Sequence, residues 1–114
     1  MTTQLTTETF AKAIQNGVSL IDFGAQWCPP CRMMEPVVEE LSQDFDGKAT
    51  IAQVDVDQSQ DLANLFGIRS IPTMVIFKDG KPVDALVGVH PKQTLMEKIQ
   101  AQLSCGDLCM MQLL

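Results

Sequence analysis

The sequence predicts a single α/β domain built on a mixed β-sheet with helices on both faces, and three observations carry that reading. Helix-like and strand-like segments alternate, running βαβα from Val18 to Gly67. Two further strand-like runs then flank Lys78-Asp79-Gly80-Lys81. A chain of 114 residues with 46% hydrophobic content is long enough for one core and too apolar to be disordered. A βαβ crossover demands a parallel pair and a tight hairpin an antiparallel one, so the sheet must contain both.

Taken in order, Thr6 or Thr7 can cap a short helix carrying Phe10 and Ile14 on one face, and Asn16-Gly17 can end it. Val18-Ser19-Leu20-Ile21-Asp22-Phe23 is short and mostly apolar, the pattern of a strand buried on both faces, with Asp22 its one charged residue. From Cys31 to about Phe45, residues Met33, Met34, Val37, Val38, Leu41 and Phe45 recur at helical spacing, with Pro36 placed to kink the helix and Gly47 to close it. Met33 and Met34 read as core filler. Ile51 to Asp57 alternates as a strand, and Gln60 to Phe66, ending at Gly67, reads as a short helix. Thr73 to Phe77 and Val83 to Val87 form the hairpin. A last helix begins near Pro91, with Leu95, Ile99 and Leu103 four residues apart.

Fourteen acidic against eight basic residues give a net charge of -6, the wrong sign for a phosphate-binding groove, so nucleic acid is not an expected partner. Met1-Thr2-Thr3-Gln4 lacks the basic start of a signal peptide, and the chain has no apolar run long enough to span a membrane. The expectation is a cytoplasmic chain, and there the four cysteines point to catalytic or metal-binding thiols.

Trp27-Cys28-Pro29-Pro30-Cys31 carries the chemistry. It puts two thiols three residues apart, after an apolar strand and before a helix. A sulfur at a helix start lies in the partial positive field of unpaired backbone N–H groups, which favours the nucleophilic thiolate, and the second thiol can resolve the bond the first one makes. A zinc site would need two more ligands, and the remaining candidates, His90, Cys105 and Cys109, are all far along the chain, so redox chemistry is favoured and no metal or cofactor is expected. Cys28 is expected to be the exposed nucleophile and Cys31 the shielded one. Asp22, between Ile21 and Phe23, is expected to be buried and therefore easier to protonate than an ordinary carboxylate.

The chain resembles the thioredoxin family from roughly Leu5 to Ser104, through Asp22-Phe23-Gly24-Ala25-Gln26-Trp27-Cys28-Pro29-Pro30-Cys31-Arg32-Met33, Pro36, Gly67-Ile68-Arg69-Ser70-Ile71-Pro72-Thr73, Phe77-Lys78-Asp79-Gly80 and Gly88. The resemblance implies a thioredoxin fold and a protein disulfide reductase in which Cys28 attacks a disulfide of a client protein and Cys31 resolves the mixed disulfide. It makes Asp22 the group that exchanges a proton with Cys31, and an NADPH-dependent flavoprotein, thioredoxin reductase, the source of electrons. It further implies a cis bond before Pro72 and a client-docking patch of Trp27, Ile71, Pro72 and Gly88 beside Pro29 and Pro30. Pro29 stands where many relatives have Gly, Gly24 where many have an aromatic, and Gln53 where many have Lys. The competing reading is a thioredoxin-like docking or scaffold subunit whose cysteines are dispensable.

The resemblance assigns residues 1–104 to the domain and leaves 105–114, Cys105-Gly106-Asp107-Leu108-Cys109-Met110-Met111-Gln112-Leu113-Leu114, as a tail. Cys105 and Cys109 are expected to form a second redox pair or an intermolecular contact on an otherwise monomeric protein. A relay to Cys28 is disfavoured, because a last helix of some thirteen residues running away from Gly88 ends about 20 Å off.

Overall fold

The computed structural model describes residues 3–104. Its elements are β1 (Thr3–Leu5), α1 (Thr7–Ile14), β2 (Val18–Gly24), α2 (Pro29–Asp44), β3 (Thr50–Asp55), α3 (Gln60–Leu65), β4 (Thr73–Lys78), β5 (Lys81–Val87) and α4 (Lys92–Ser104). The sheet order is β1-β3-β2-β4-β5. β1 and β2 run parallel to β3, β4 is antiparallel to β2, and the β4–β5 hairpin is antiparallel. The mixed sheet with helices on both faces is the architecture the sequence predicts.

Period-two alternation along β2 decides which helices cover which face. Val18 and Leu20 point to one side, where they meet Met34, Val38 and Leu41 of α2 and Leu95 and Ile99 of α4. Ile21 and Phe23 point to the other, against Phe10 and Ile14 of α1 and Leu62 of α3. On that second face Phe10, Phe23, Phe66 and Phe77 interlock with ring centroids 5.2–6.3 Å apart, within the range of favourable tilted and edge-on pairs. Asp22 falls on the α2 side by the same alternation, which aims its carboxylate under the start of that helix.

β1, the start of α2 and the placement of Met33 differ from the sequence reading. β1 is not legible in it: Thr3-Gln4-Leu5 is too short and polar to show a period, and it becomes a strand by pairing with Ala52 to Val54 at the sheet edge. α2 begins at Pro29, two residues earlier than apolar spacing indicates, because Cys28 and the two prolines form its first turn; it runs on through Pro36 to Asp44. Met33 is 64% exposed and is not core filler. The inward stripe of α2 is Cys31, Met34, Val38 and Leu41, and Met33 lies about 100° away from Met34 around the helix.

Candidate active site

β2 ends at Gly24, and the chain turns through Ala25 to Trp27, with Cys28 N donating to Ala25 O at 3.3 Å, before α2 starts. Cys28 is the N-cap, and Pro29 and Pro30 occupy the first two helical positions. Proline is tolerated there because an N–H at those positions has no partner within the helix. The first helical N–H is therefore that of Cys31, and it donates to Cys28 Sγ at 3.3 Å. On its other side Cys28 Sγ faces Ile71 O at 3.9 Å, in the loop that enters β4 through a cis Ile71–Pro72 bond. The helix start thus directs one donor at the sulfur of the first cysteine.

Cys31 points the other way, down toward β2. Gly24 permits that approach: a Cβ there would stand 3.1 Å from Cys31 Sγ and 3.2 Å from Cys31 Cβ. Burial pushes the Cys31 thiol up to about 12, reinforced by its hydrogen bond with Cys28, so this sulfur keeps its proton and needs a base to lose it. Such a group lies below. Asp22 is 3% exposed, its Oδ1 has no hydrogen-bond partner among the described residues, and burial lifts its carboxyl from 3.8 to about 7. The Gln53 amide, directly across on β3, pulls it back, and the charge of Glu35 pushes it further up. Asp22, Cys31, Glu35 and Gln53 all line one cavity of about 50 Å³, a volume that admits water and so a path for a proton.

Above the thiols, Trp27 is 68% exposed and anchored through Nε1, which donates to Asp57 Oδ2 at 2.7 Å. Asp57 is itself positioned by its backbone N–H, which donates to Asp55 Oδ1 at 2.8 Å. Pro29 and Pro30 are exposed beside Trp27, Ile71 is half-buried, and Gly88 N donates to Pro72 O at 2.8 Å. These residues are brought together, but two expectations need correction. Pro72 is buried, because it leads into β4, which lies between β2 and β5. Cys28 is not exposed: it is 4% exposed against 5% for Cys31, since it packs with Ala25, Val56 and Ile71. What distinguishes the two thiols is direction, Cys28 toward Ile71 and Cys31 toward Asp22. Glu35 lines the cavity below the thiols, and its one signal in the sequence is its place four residues after Cys31 on a helix; Met33, which the sequence reads as core filler, lies exposed on the same helix.

Both cysteines are free thiols, and no group of three or more His, Cys, Asp or Glu suited to a metal occurs among the described residues. Cys105 and Cys109 lie outside the described residues, so the second redox pair stays an expectation.

The thioredoxin family model matches residues 1–101. The chain belongs to the thioredoxin family. It is 50% identical over 100 residues to a thioredoxin of Staphylococcus saprophyticus, covering 88% of this chain and 96% of that protein. With a thioredoxin of Staphylococcus aureus the identity is 45% over the same shares. Among solved structures, a mutant thioredoxin from Halobacterium salinarum superposes with a TM-score of 0.82 at 38% identity, covering 89% of each chain. No helix among the described residues is long and apolar enough to cross a membrane.

Proposed function

We propose that this thioredoxin-family protein is a thiol-disulfide oxidoreductase that reduces disulfides of client proteins, with Cys28 as nucleophile, Cys31 as resolving thiol and Asp22 as proton acceptor. The observation that carries the reading is the opposed aim of the two thiols, one receiving the first N–H of α2 beside Ile71 and the other set over a buried carboxylate. The Cys28 thiolate attacks one sulfur of the client disulfide, forming a mixed disulfide and releasing the other sulfur as a thiolate. Cys31 then passes its proton to Asp22 and attacks Cys28 Sγ, and the second client sulfur leaves as a thiolate that takes its proton from solvent. Two electrons have moved from the dithiol to the client, and the Cys28–Cys31 disulfide remains. An NADPH-dependent thioredoxin reductase returns the electrons in the cytoplasm.

Trp27, Pro29, Pro30 and Ile71, with Gly88 and the buried Pro72 framing them, form the docking patch, and the exposed Met33 extends it. Residues 1–104 form the catalytic domain and 105–114 an appendage to it. The test is reduction of insulin disulfides by dithiothreitol. Catalysis by the wild type and its loss in Cys28→Ser is the expected result, and equal rates with and without the protein would refute the enzymatic reading in favour of a docking subunit.

A further inference from the structure

We propose that Glu35 is a positioning residue for the proton transfer at Cys31, its carboxylate setting the pH at which Asp22 can accept the proton. The inference rests on the reading of Asp22 as acceptor and adds the control of that acceptor to it.

The small cavity between α2 and β3 is strongly anionic. Asp22 of β2, Glu35 of α2 and Asp55 of β3 line it together with Cys31, and neither Lys, Arg nor His does. The elements that line the cavity, and the strand paired with β2 beside Asp22, fit this picture. α2 brings Cys31 and Glu35, β3 brings Gln53 and Asp55, and β4 places the uncharged Met74 directly across from it. Gln53 has its carbonyl oxygen occupied, because Gln4 Nε2 donates to its Oε1 at 2.8 Å, which leaves its amide hydrogens for Asp22. Asp55 already accepts the backbone N–H groups of Asp57 and Gln58. Glu35 enters none of the ion pairs among the described residues. It sits one helical turn beyond Cys31, exposed on its outer side and lining the cavity on its inner side.

A second negative charge across a small cavity opposes ionisation of a buried carboxyl. Asp22 must be ionised before it can take the Cys31 proton, so Glu35 delays the resolving step to higher pH. Because Glu35 is exposed, solvent screens its charge and the effect is modest.

The experiment measures resolution directly. Reduced protein reacts with 5,5'-dithiobis(2-nitrobenzoate), and the second release of 2-nitro-5-thiobenzoate reports Cys31 attacking Cys28 Sγ. Wild type, E35Q and E35K are compared from pH 5 to 9, with E40Q, farther along the same helix, as control. The expected acid midpoint moves down by about half a pH unit in E35Q and about one in E35K, making E35Q about threefold faster at pH 6 and unchanged at pH 9. Carboxyl 13C titration of Asp22 should move by the same amount, with E40Q unmoved. Profiles of E35Q and E35K that overlay wild type, or rates that fall equally at every pH as from a structural defect, would overturn the proposal. D22N separates the two readings: an acid limb that survives in D22N defeats Asp22 as acceptor, whereas the Asp22 titration reports the action of Glu35 independently of rate.

Discussion

Asp22→Asn should stabilise the protein, and by an amount that grows with pH. The buried carboxyl ionises near 7 in the folded chain against 3.8 ordinarily, about three pH units at about 1.4 kcal/mol each. Between those values the unfolded chain has already released the proton that the folded chain keeps. The unfolded state therefore binds fewer protons, and stability falls as pH rises through about 4 to 7, by about 4 kcal/mol in total before levelling off. Asparagine has nearly the same shape, carries no charge and is exempt from that loss. Urea unfolding of the reduced proteins at pH 5 and pH 8 should show the advantage of Asp22→Asn growing by roughly 2 to 3 kcal/mol, a relative shift in midpoint of about 1–2 M at an ordinary m-value. A difference that stays constant between the two pH values would refute the assignment of a shifted, buried carboxyl at Asp22, whatever its sign.

Cys31→Ser should accumulate mixed disulfides with client proteins and Cys28→Ser should not, as read by non-reducing gels; equal trapping by both would reverse the roles. Gly24→Ala should cost about 1–3 kcal/mol by denaturant melt, because its Cβ would lie 3.1 Å from Cys31 Sγ and α2 must shift to admit it. Trp27→Ala should raise KM for protein disulfides several-fold while leaving reaction with a small aromatic disulfide near wild type, since only the larger substrate uses the patch. Truncation after Ser104 should leave insulin reduction near wild type, and a Cys28 or Cys31 link to Cys105 or Cys109 in peptide maps of oxidised protein would contradict the separation of the tail.

The parts of the fold legible in the sequence are those with a strong period or a clear stop. β2 announces itself as an apolar run, α1 ends before a Gly17 whose φ is +73°, and the hairpin turns at Asp79 and Gly80, both with positive φ. β1 carries no such signal, because an edge strand of three residues is defined by its partner β3 and not by its own composition. The site divides in the same way. The spacing of Cys28 and Cys31 and the oddity of Asp22 in an apolar strand are visible locally. The burial of Cys28, the exposure of Met33 and the convergence of Glu35 on Asp22 depend on where α2 starts and how it lies across the sheet. Two prolines moved that start by two residues, which apolar periodicity does not register.

The far end of α4 has a practical consequence. Lys78 Nζ donates to Gln102 O at 3.1 Å, which moors the last turn of the helix at the end of β4 opposite Thr73. Six residues of strand, about 17 Å at 3.3 Å per residue or slightly less, separate that mooring from the thiols. Ala101, exposed on that last turn, is thus a natural handle: a fluorophore, an affinity tag or a surface tether joined there would leave Trp27 and the Ile71 loop facing outward. The same protein could be immobilised in a defined orientation, with its reactive end presented to whatever flows past.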